Sequence, residues 1–165
     1  MAVHAVYRLP EPVLKLQAEE MGEDRDEALI EALVDTMTAS PACVGLAAPQ
    51  IGVSRRVMVV DVSGHPKATT CHGLVVMIDP VIVEMSGRDV GREGCMSVPD
   101  LTANVARATR VVVSGRTPDG DERIIATEGF EARAIQHEID HLDGLLILDR
   151  VASLTSDVFR RKTYR

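Results

Sequence analysis

A chain of 165 residues is long enough for one domain with a substantial core and too short to predict two. A net charge of −7, only two tyrosines and two phenylalanines, and no tryptophan argue against sequence-specific nucleic-acid binding through stacked bases. No apolar run approaches the roughly 20 residues of a membrane span, and the first residues do not resemble a signal peptide, so we expect a cytoplasmic protein with three reduced cysteines.

The first half of the chain is predicted to contain one helix and two or three strands. After an extended start with two prolines, residues 24–39 form an amphipathic helix, because apolar residues recur every three or four positions. Residues 45–52 are predicted as an apolar loop and residues 56–62 as a strand. Residues 74–85 are interrupted by Asp79-Pro80, which predicts two short strands or one bent strand.

The second half is predicted to contain a hairpin and two helices. Residues 110–117 and 122–127 are β-rich, and Pro118-Asp119-Gly120 between them is a turn signal. A helix follows at residues 129–143, and a short terminal helix is expected at residues 153–162. The prediction is one compact α+β domain, residues 1–165, with short, mostly antiparallel sheets around the helix at 129–143.

That central helix carries a His-Glu-x-x-His motif formed by His137, Glu138 and His141. At 3.6 residues per turn, positions four apart lie on one helix face, so both imidazoles can bind the same metal ion. Glu138 lies beside them, within reach of a water at the ion rather than of the ion itself. Two neutral imidazoles and a carboxylate base are typical of metal-assisted hydrolysis.

A catalytic zinc or iron site needs a third protein ligand. Residues 142–165 contain no histidine or glutamate, so the downstream ligand of common His-Glu-x-x-His proteases is poorly supported. The only acids there are Asp143, Asp149 and Asp157. We therefore expect the ligand upstream, with Cys95 in the small-residue turn at 92–99 favoured over Cys71-His72. The remaining upstream donors are Cys43, His4 and His65.

Three segments resemble the signature motifs of the peptide deformylase family. They are Gly45-Leu46-Ala47-Ala48-Pro49-Gln50, Glu93-Gly94-Cys95-Met96-Ser97 and Gln136-His137-Glu138-Ile139-Asp140-His141-Leu142-Asp143-Gly144. They occur in the family's order with similar spacing, and residues 9–15 resemble its N-terminal strand. The resemblance covers nearly the whole chain. It implies removal of the N-formyl group from the initiator methionine of nascent peptides, with release of formate.

The resemblance also implies a cofactor and partners. Cys95, His137 and His141 would hold one divalent ion, with Fe²⁺ favoured and Zn²⁺ or another divalent ion as alternatives. The expected partners are N-formylmethionyl nascent peptides near the ribosome, without direct nucleic-acid or membrane binding.

Roles for other motif residues follow from the same resemblance. Glu138 would take a proton from the attacking water and pass it to the departing amine. The side-chain amide of Gln50 and the backbone N–H of Met96 would stabilise the developing oxyanion. The peptide is expected to pair with the backbone near Gly45 as an added strand. The residues expected to contact substrate are Gly45, Leu46, Glu93 and Gly94. Glu93 is also expected to brace the Cys95 loop through nearby arginines.

Three positions depart from the family's usual pattern. Cys43 stands where a glycine usually begins the first motif, and a positive φ there would strain the loop. Met96 replaces a leucine, and Thr102 lies where many members have an arginine that contacts the substrate backbone. Two alternatives remain open: a deformylase-like protein with shifted substrate preference or weak activity, and a small metallopeptidase.

Overall fold

The computed structural model describes residues 2–161, which form an α+β fold with two antiparallel sheets. The first sheet has the order β1-β2-β3-β6-β7 and the second the order β4-β5-β8. The strands are β1 (Gly45–Ala47), β2 (Val57–Val60), β3 (Val75–Ser86), β4 (Asp89–Cys95), β5 (Val98–Arg107), β6 (Arg110–Arg116), β7 (Glu122–Glu128) and β8 (Val158–Arg160). The helices are α1 (Glu27–Ala39), α2 (Gly129–Leu142) and α3 (Ile147–Arg150).

The first sheet is covered by a helix on each face. In β2, Met58 and Val60 pack in the α2 cluster, whereas Val57 and Val59 pack in the α1 cluster. This alternation places apolar residues on both faces, which explains why all four residues of the strand are apolar and buried. Helix α2, which carries the His-Glu-x-x-His motif, therefore packs against a fully buried strand.

The predicted helix at residues 24–39 is confirmed, although it begins three residues later. Asp26 is its N-cap, and the side chain of Asp26 accepts a hydrogen bond from the backbone N–H of Leu29 at 3.1 Å. This bond satisfies one of the four amide groups that a helix leaves unpaired at its start. Residues 24 and 25 remain outside the helix.

The interrupted segment at residues 74–85 is one bent strand. Asp79 has a φ of 51°, and the register of β3 on β6 shifts between Ile78 and Val81. The Asp79 carboxylate accepts hydrogen bonds from the backbone N–H groups of Met21 and Gly22. These contacts hold a backbone conformation that a non-glycine residue rarely adopts.

The hairpin and the central helix are also confirmed. Strands β6 and β7 pair from Arg110 with Glu128 to Arg116 with Glu122. Helix α2 ends at Leu142, and Gly144 follows with a φ of 76°. A glycine at this position is the usual way to end a helix. Among the described residues, no helix has the length and hydropathy to span a membrane.

Three local predictions are wrong, and the extent of a fourth is wrong. Residues 45–52 are not a loop but strand β1 followed by a 3-10 turn at Ala48–Ile51. The predicted strand at residues 9–15 contains a 3-10 turn at Pro12–Lys15. The turn predicted at residues 92–99 is limited to Met96-Ser97, and the residues on both sides belong to the β4–β5 hairpin. The terminal helix at residues 153–162 is replaced by turns and β8, because Val158–Arg160 pairs with β5; Lys162 lies outside the described residues.

Candidate metal centre and active site

Helix α2 and the end of β4 bring one thiol and two imidazoles together. The ligand atoms of Cys95, His137 and His141 all lie within 4.8 Å of one another, and Cys95 Sγ is 3.3 Å from His141 Nε2. The β4–β5 register shifts between Gly94 and Cys95, at the point where the thiol turns towards α2. A sulfur with two imidazole nitrogens is a donor set that suits Zn²⁺ or Fe²⁺ and leaves a fourth position for substrate or water.

The electrostatics of this cluster favour a ligand thiolate. Burial raises the pKa of the Cys95 thiol, but the nearby imidazoles of His141 and His137 outweigh burial and hold the pKa well below its usual range. A thiolate is the form that binds metal. The chemistry of the three donors therefore fits a divalent transition-metal ion.

Glu93 orients the His137 ring through a hydrogen bond. The Glu93 carboxylate accepts hydrogen bonds from His137 Nδ1 at 2.8 Å, from Arg107 at 2.9 Å through each oxygen, and from Arg133 at 2.6 Å. Burial raises the pKa of Glu93, but the hydrogen bonds from His137 and Arg107 bring it well below its usual range. With Nδ1 of His137 bonded to Glu93, Nε2 is the nitrogen left for a metal.

Asp140 continues this buried ionic network away from the metal ligands. It is 5 % exposed and accepts hydrogen bonds from Arg107 at 2.5 Å and from Arg150 at 2.8 and 2.9 Å. Asp140 is therefore neither an exposed helix residue nor a direct partner of an imidazole. It joins α2 to β5 and to the end of α3. The expected arginine partners of Glu93 are thus Arg107 and Arg133, which the sequence did not single out, and the role of Arg150 was not predicted.

Glu138 has a different environment from Glu93. Its Oε1 is buried and has no hydrogen-bond partner among the described residues. Burial raises the pKa of Glu138, although the charges of His137 and His141 oppose this effect. A buried carboxylate with a raised pKa and a free oxygen is suited to accept and return a proton.

Gly45 gives Glu138 the space that it occupies. A Cβ at position 45 would lie 2.6 Å from Glu138 Oε2 and 2.9 Å from its Cγ. The glycine at the start of β1 is therefore required by the close approach of the Glu138 side chain. Sequence reasoning expected a glycine here for the approach of a substrate backbone, and this second reason was missed.

The predicted site residues line one cleft of about 1140 Å³, except for Leu46 and the fully buried His141. Its wall contains Cys95, His137 and Glu138 together with Gly45, Gln50, Glu93, Gly94 and Met96. Leu46 does not line it, because its side chain is fully buried in the α1 cluster. A contact between Leu46 and a peptide would therefore have to use its backbone. Strand β1 offers such a contact, since β2 is its only neighbour in the described sheet.

Gln50 directs its side-chain amide nitrogen towards Cys95. Its Oε1 accepts a hydrogen bond from the backbone N–H of Ala47 at 3.0 Å. Its Nε2 lies 3.2 Å from Ser97 Oγ and 3.7 Å from Cys95 Sγ. The bond to Ala47 therefore orients the amide and leaves its donor nitrogen facing the cleft.

Cys43 lines the cleft without joining the metal-ligand group. The positive φ lies at Ala42, with a value of 57°, so the strain considered for Cys43 is absent. Cys43 Sγ donates to Gly45 O at 3.1 Å, and burial, followed by the charge of Glu138, raises the pKa of the thiol to about 11. Cys43 is therefore a neutral thiol at neutral pH.

The other upstream ligand candidates have different partners, although His65 lines the same cleft. The His72 ring and backbone bond the fully buried Glu131 carboxylate, and Cys71 contacts Ser63. His65 stacks on Phe130 with ring centroids 4.1 Å apart. Among residues 2–161, the metal-ligand group that forms is the one built from Cys95.

A thiolate and two imidazoles beside a proton-accepting carboxylate, at the base of an open cleft, define a metal-dependent hydrolase. Residues 3–157 match the family model described as polypeptide deformylase. The chain is 40 % identical to the peptide deformylase of Thermodesulfovibrio yellowstonii, over 98 % of this chain and 97 % of that protein. The chain therefore belongs to the peptide deformylase family, and the predicted resemblance is confirmed.

Solved structures agree with this assignment. The peptide deformylase of Legionella pneumophila matches with a TM-score of 0.81 and 38 % identity, covering 92 % of this chain and 88 % of that one. The class I type b peptide deformylase of Acinetobacter baumannii gives 0.83 and 37 %, covering 90 % and 99 %. The predictions of an α+β fold and of a deformylating hydrolase are confirmed.

Proposed function

We propose that this chain removes the formyl group from N-formylmethionyl nascent peptides at the cleft built by α2, β1 and β4. The observation that carries the proposal is the meeting of three metal-ligand atoms within 4.8 Å beside the unpaired Glu138 oxygen. Family membership supplies the reaction, and the cleft supplies space for a peptide. One catalytic domain over residues 1–165 is part of the same proposal.

Cys95, His137 and His141 are the residues that would hold the metal. When bound, a divalent ion supplies Lewis-acid polarisation of the formyl carbonyl and makes water a better nucleophile. We favour Fe²⁺ over Zn²⁺ from the family resemblance, and both fit one thiolate and two imidazoles. Metal analysis of anaerobically purified protein is expected to find about one divalent ion per chain, bound through these three residues.

Glu138 carries the proton. Its unpaired oxygen accepts a proton from the water that attacks the formyl carbon, and then returns this proton to the departing amine nitrogen. The raised pKa of Glu138 makes the protonated form accessible between these two steps. Formate and a free N-terminal methionine are the products.

Gln50 and Met96 stabilise the charge that develops on the formyl oxygen. The Gln50 amide is held by Ala47, so its nitrogen needs no reorientation during the reaction. Met96 follows Cys95 in sequence and lines the same cleft, which supports its backbone N–H as the second donor. A donor of this kind is worth roughly 10²–10³ in kcat.

The substrate backbone pairs with the free edge of β1. Gly45 and Leu46 supply backbone groups there, and Gly94 on β4 lines the same cleft. The contacts of Glu93 favour a positioning role through His137 rather than a contact with peptide. We further propose that the protein works in the cytoplasm near the ribosome, where nascent chains carry this substrate.

Release of formate from formyl-Met-Ala-Ser by metal-loaded protein tests this function. Wild type should turn over, whereas Cys95→Ala should lose both metal and activity, and the exposed Glu122→Ala should behave as wild type. Cleavage of unformylated peptides would favour a metallopeptidase. Retained metal and activity in Cys95→Ala would contradict the ligand assignment, and bound metal without turnover would contradict the proposed function.

A further inference from the structure

The mouth of the cleft is rich in positive charge. Its lining contains five basic side chains, and its two carboxylates, Glu93 and Glu138, are both buried. The basic residues are Lys67, Arg92, Arg133, Arg160 and Arg161. The whole chain has 25 acidic and 18 basic residues, so this concentration is not a general property of its surface.

Four of these five cations are not neutralised by a neighbour. Arg133 is engaged with Glu93 and with the backbone carbonyls of Val105 and Asp89. The other four are exposed, and none has a carboxylate oxygen within 4.0 Å among residues 2–161. The mouth therefore presents cations without fixed counter-charges.

Arg92 is held in place by neutral groups. Its Cζ lies 3.7 Å from the centroid of the Phe159 ring, a cation–π contact. Its Nε donates to Asn104 Oδ1 at 3.2 Å and its Nη1 to Thr102 Oγ1 at 3.4 Å. These contacts restrict the side chain while its charge remains available.

Arg161 brings a second guanidinium close to the reacting centre. Its backbone N–H donates to Asp100 O at 2.8 Å, which fixes the end of β8 on β5. Its Nη2 lies over Gly94, in the space that a Cβ at that position would fill. Gly94 directly precedes Cys95 in the sequence, so this guanidinium contacts the neighbour of a proposed metal ligand.

We infer that Arg92 and Arg161 select substrates with an acidic side chain in the first residues after the formylmethionine. The inference rests on the proposed function: with the formyl end at Cys95 and Glu138, the following residues leave through the mouth. A carboxylate there meets two guanidinium groups, whereas a lysine meets like charge.

The expected preference is moderate, because both arginines are exposed. One exposed ion pair changes an equilibrium by about two- to five-fold. Attraction of glutamate and repulsion of lysine at two cations should therefore give a glutamate-to-lysine ratio in kcat/KM on the order of ten. The ratio should fall towards one in about 1 M salt, where screening acts within roughly 3 Å.

The test uses three amidated peptides that differ at one position: formyl-Met-Ala-Glu-Ser, formyl-Met-Ala-Gln-Ser and formyl-Met-Ala-Lys-Ser. Amidation removes the terminal carboxylate, and a second set places the same three residues directly after methionine. The metal-loaded full chain is assayed for formate release as wild type, as R92Q/R161Q and as R161Q. The matched control is R88Q, which removes an exposed arginine outside the cleft.

We expect the glutamate-to-lysine ratio to be near ten in wild type and R88Q, intermediate in R161Q, and near one in R92Q/R161Q. Because the readout is a ratio, a general loss of activity in a variant does not imitate the result. Equal kcat/KM values for the glutamate and lysine peptides in wild type overturn the inference. A second outcome also overturns the inference. In it, wild type binds a short RNA, R92Q/R161Q does not, and the glutamate-to-lysine ratio in kcat/KM of wild type is one. Failure on the neutral glutamine peptide would contradict the proposed function itself.

Discussion

Two buried glutamates on either side of His137 have opposite surroundings. Glu93 accepts hydrogen bonds from three cationic or imidazole donors, and its pKa lies well below its usual range. Glu138 leaves one oxygen without a partner, and burial raises its pKa. The same side chain is therefore a permanent anion in one place and a proton carrier in the other. Hydrogen-bonding partners, rather than burial, distinguish the two.

The largest expected effect is the loss of formate release when Glu138, rather than Glu93, is substituted. Glu138→Gln removes the proton acceptor while keeping the volume of the side chain, so formate release should fall about 10²–10⁴-fold. Metal content should remain near one ion per chain, because Glu138 is not in the ligand group. A variant that retains most of its turnover would remove Glu138 from the mechanism.

Glu93→Gln should lower stability and metal affinity, the properties that Glu138→Gln should leave largely unchanged. The Glu93 substitution leaves the buried guanidinium of Arg107 with a weaker partner, and breaking a buried ion pair costs about 3–5 kcal/mol. His137 would also lose the acceptor that orients it, so metal affinity should fall about 10–100-fold. Denaturant unfolding and metal titration measure the two effects. Unchanged stability and metal affinity would show that the network does not support the site.

Gly45→Ala should displace the Glu138 carboxylate and leave the hydrogen bonds of Glu93 intact. The new Cβ would lie 2.6 Å from Glu138 Oε2, which must then move. A carboxylate displaced by about 1 Å can cost on the order of 10²-fold in kcat. Gly91→Ala is the matched comparison on β4, because its Cβ would lie 3.0 Å from Arg133 Cζ, in the Glu93 network, and not against Glu138. Wild-type kcat in Gly45→Ala would mean that Glu138 can relocate freely.

The smallest effect is the pH dependence of stability. The pKa of Glu93 is lower in the folded state, so its contribution is complete above the unfolded value of about 4.3. It is lost as the pH falls towards the folded value. The difference in unfolding free energy between wild type and Glu93→Gln should therefore shrink between roughly pH 5 and pH 2. Glu138 has a raised pKa, so the corresponding difference for Glu138→Gln should change with the opposite sign.

The sequence predicted the parts of the site that local signals describe. The helix with His137 and His141 has a clear period and a terminal glycine, and the hairpin after β5 has a Pro-Asp-Gly turn. Cys95 is predicted as a ligand because no histidine or glutamate follows the helix. The helix and the hairpin depend on residues that are close in sequence, whereas Cys95 follows from the donors that the rest of the chain lacks or offers.

What remained hidden depends on distant contacts. The β4–β5 hairpin has a tight Met96-Ser97 turn without glycine, and Pro99 within β5 argues against a strand. Strand β8 was predicted as helix because its pairing with β5 is not visible locally. Arg107 bonds Glu93 and Asp140, which are 14 and 33 positions away. No pattern along the chain connects these charges.

Strand β1 has a further consequence for association of the protein with itself. An unpaired strand edge can accept any extended chain, including another copy of this protein. Here the open edge is only three residues long, bounded by Ala42 with its positive φ and by the 3-10 turn at Ala48–Ile51. So short an edge suits a brief encounter with the start of a peptide and offers too few hydrogen bonds to seed aggregation.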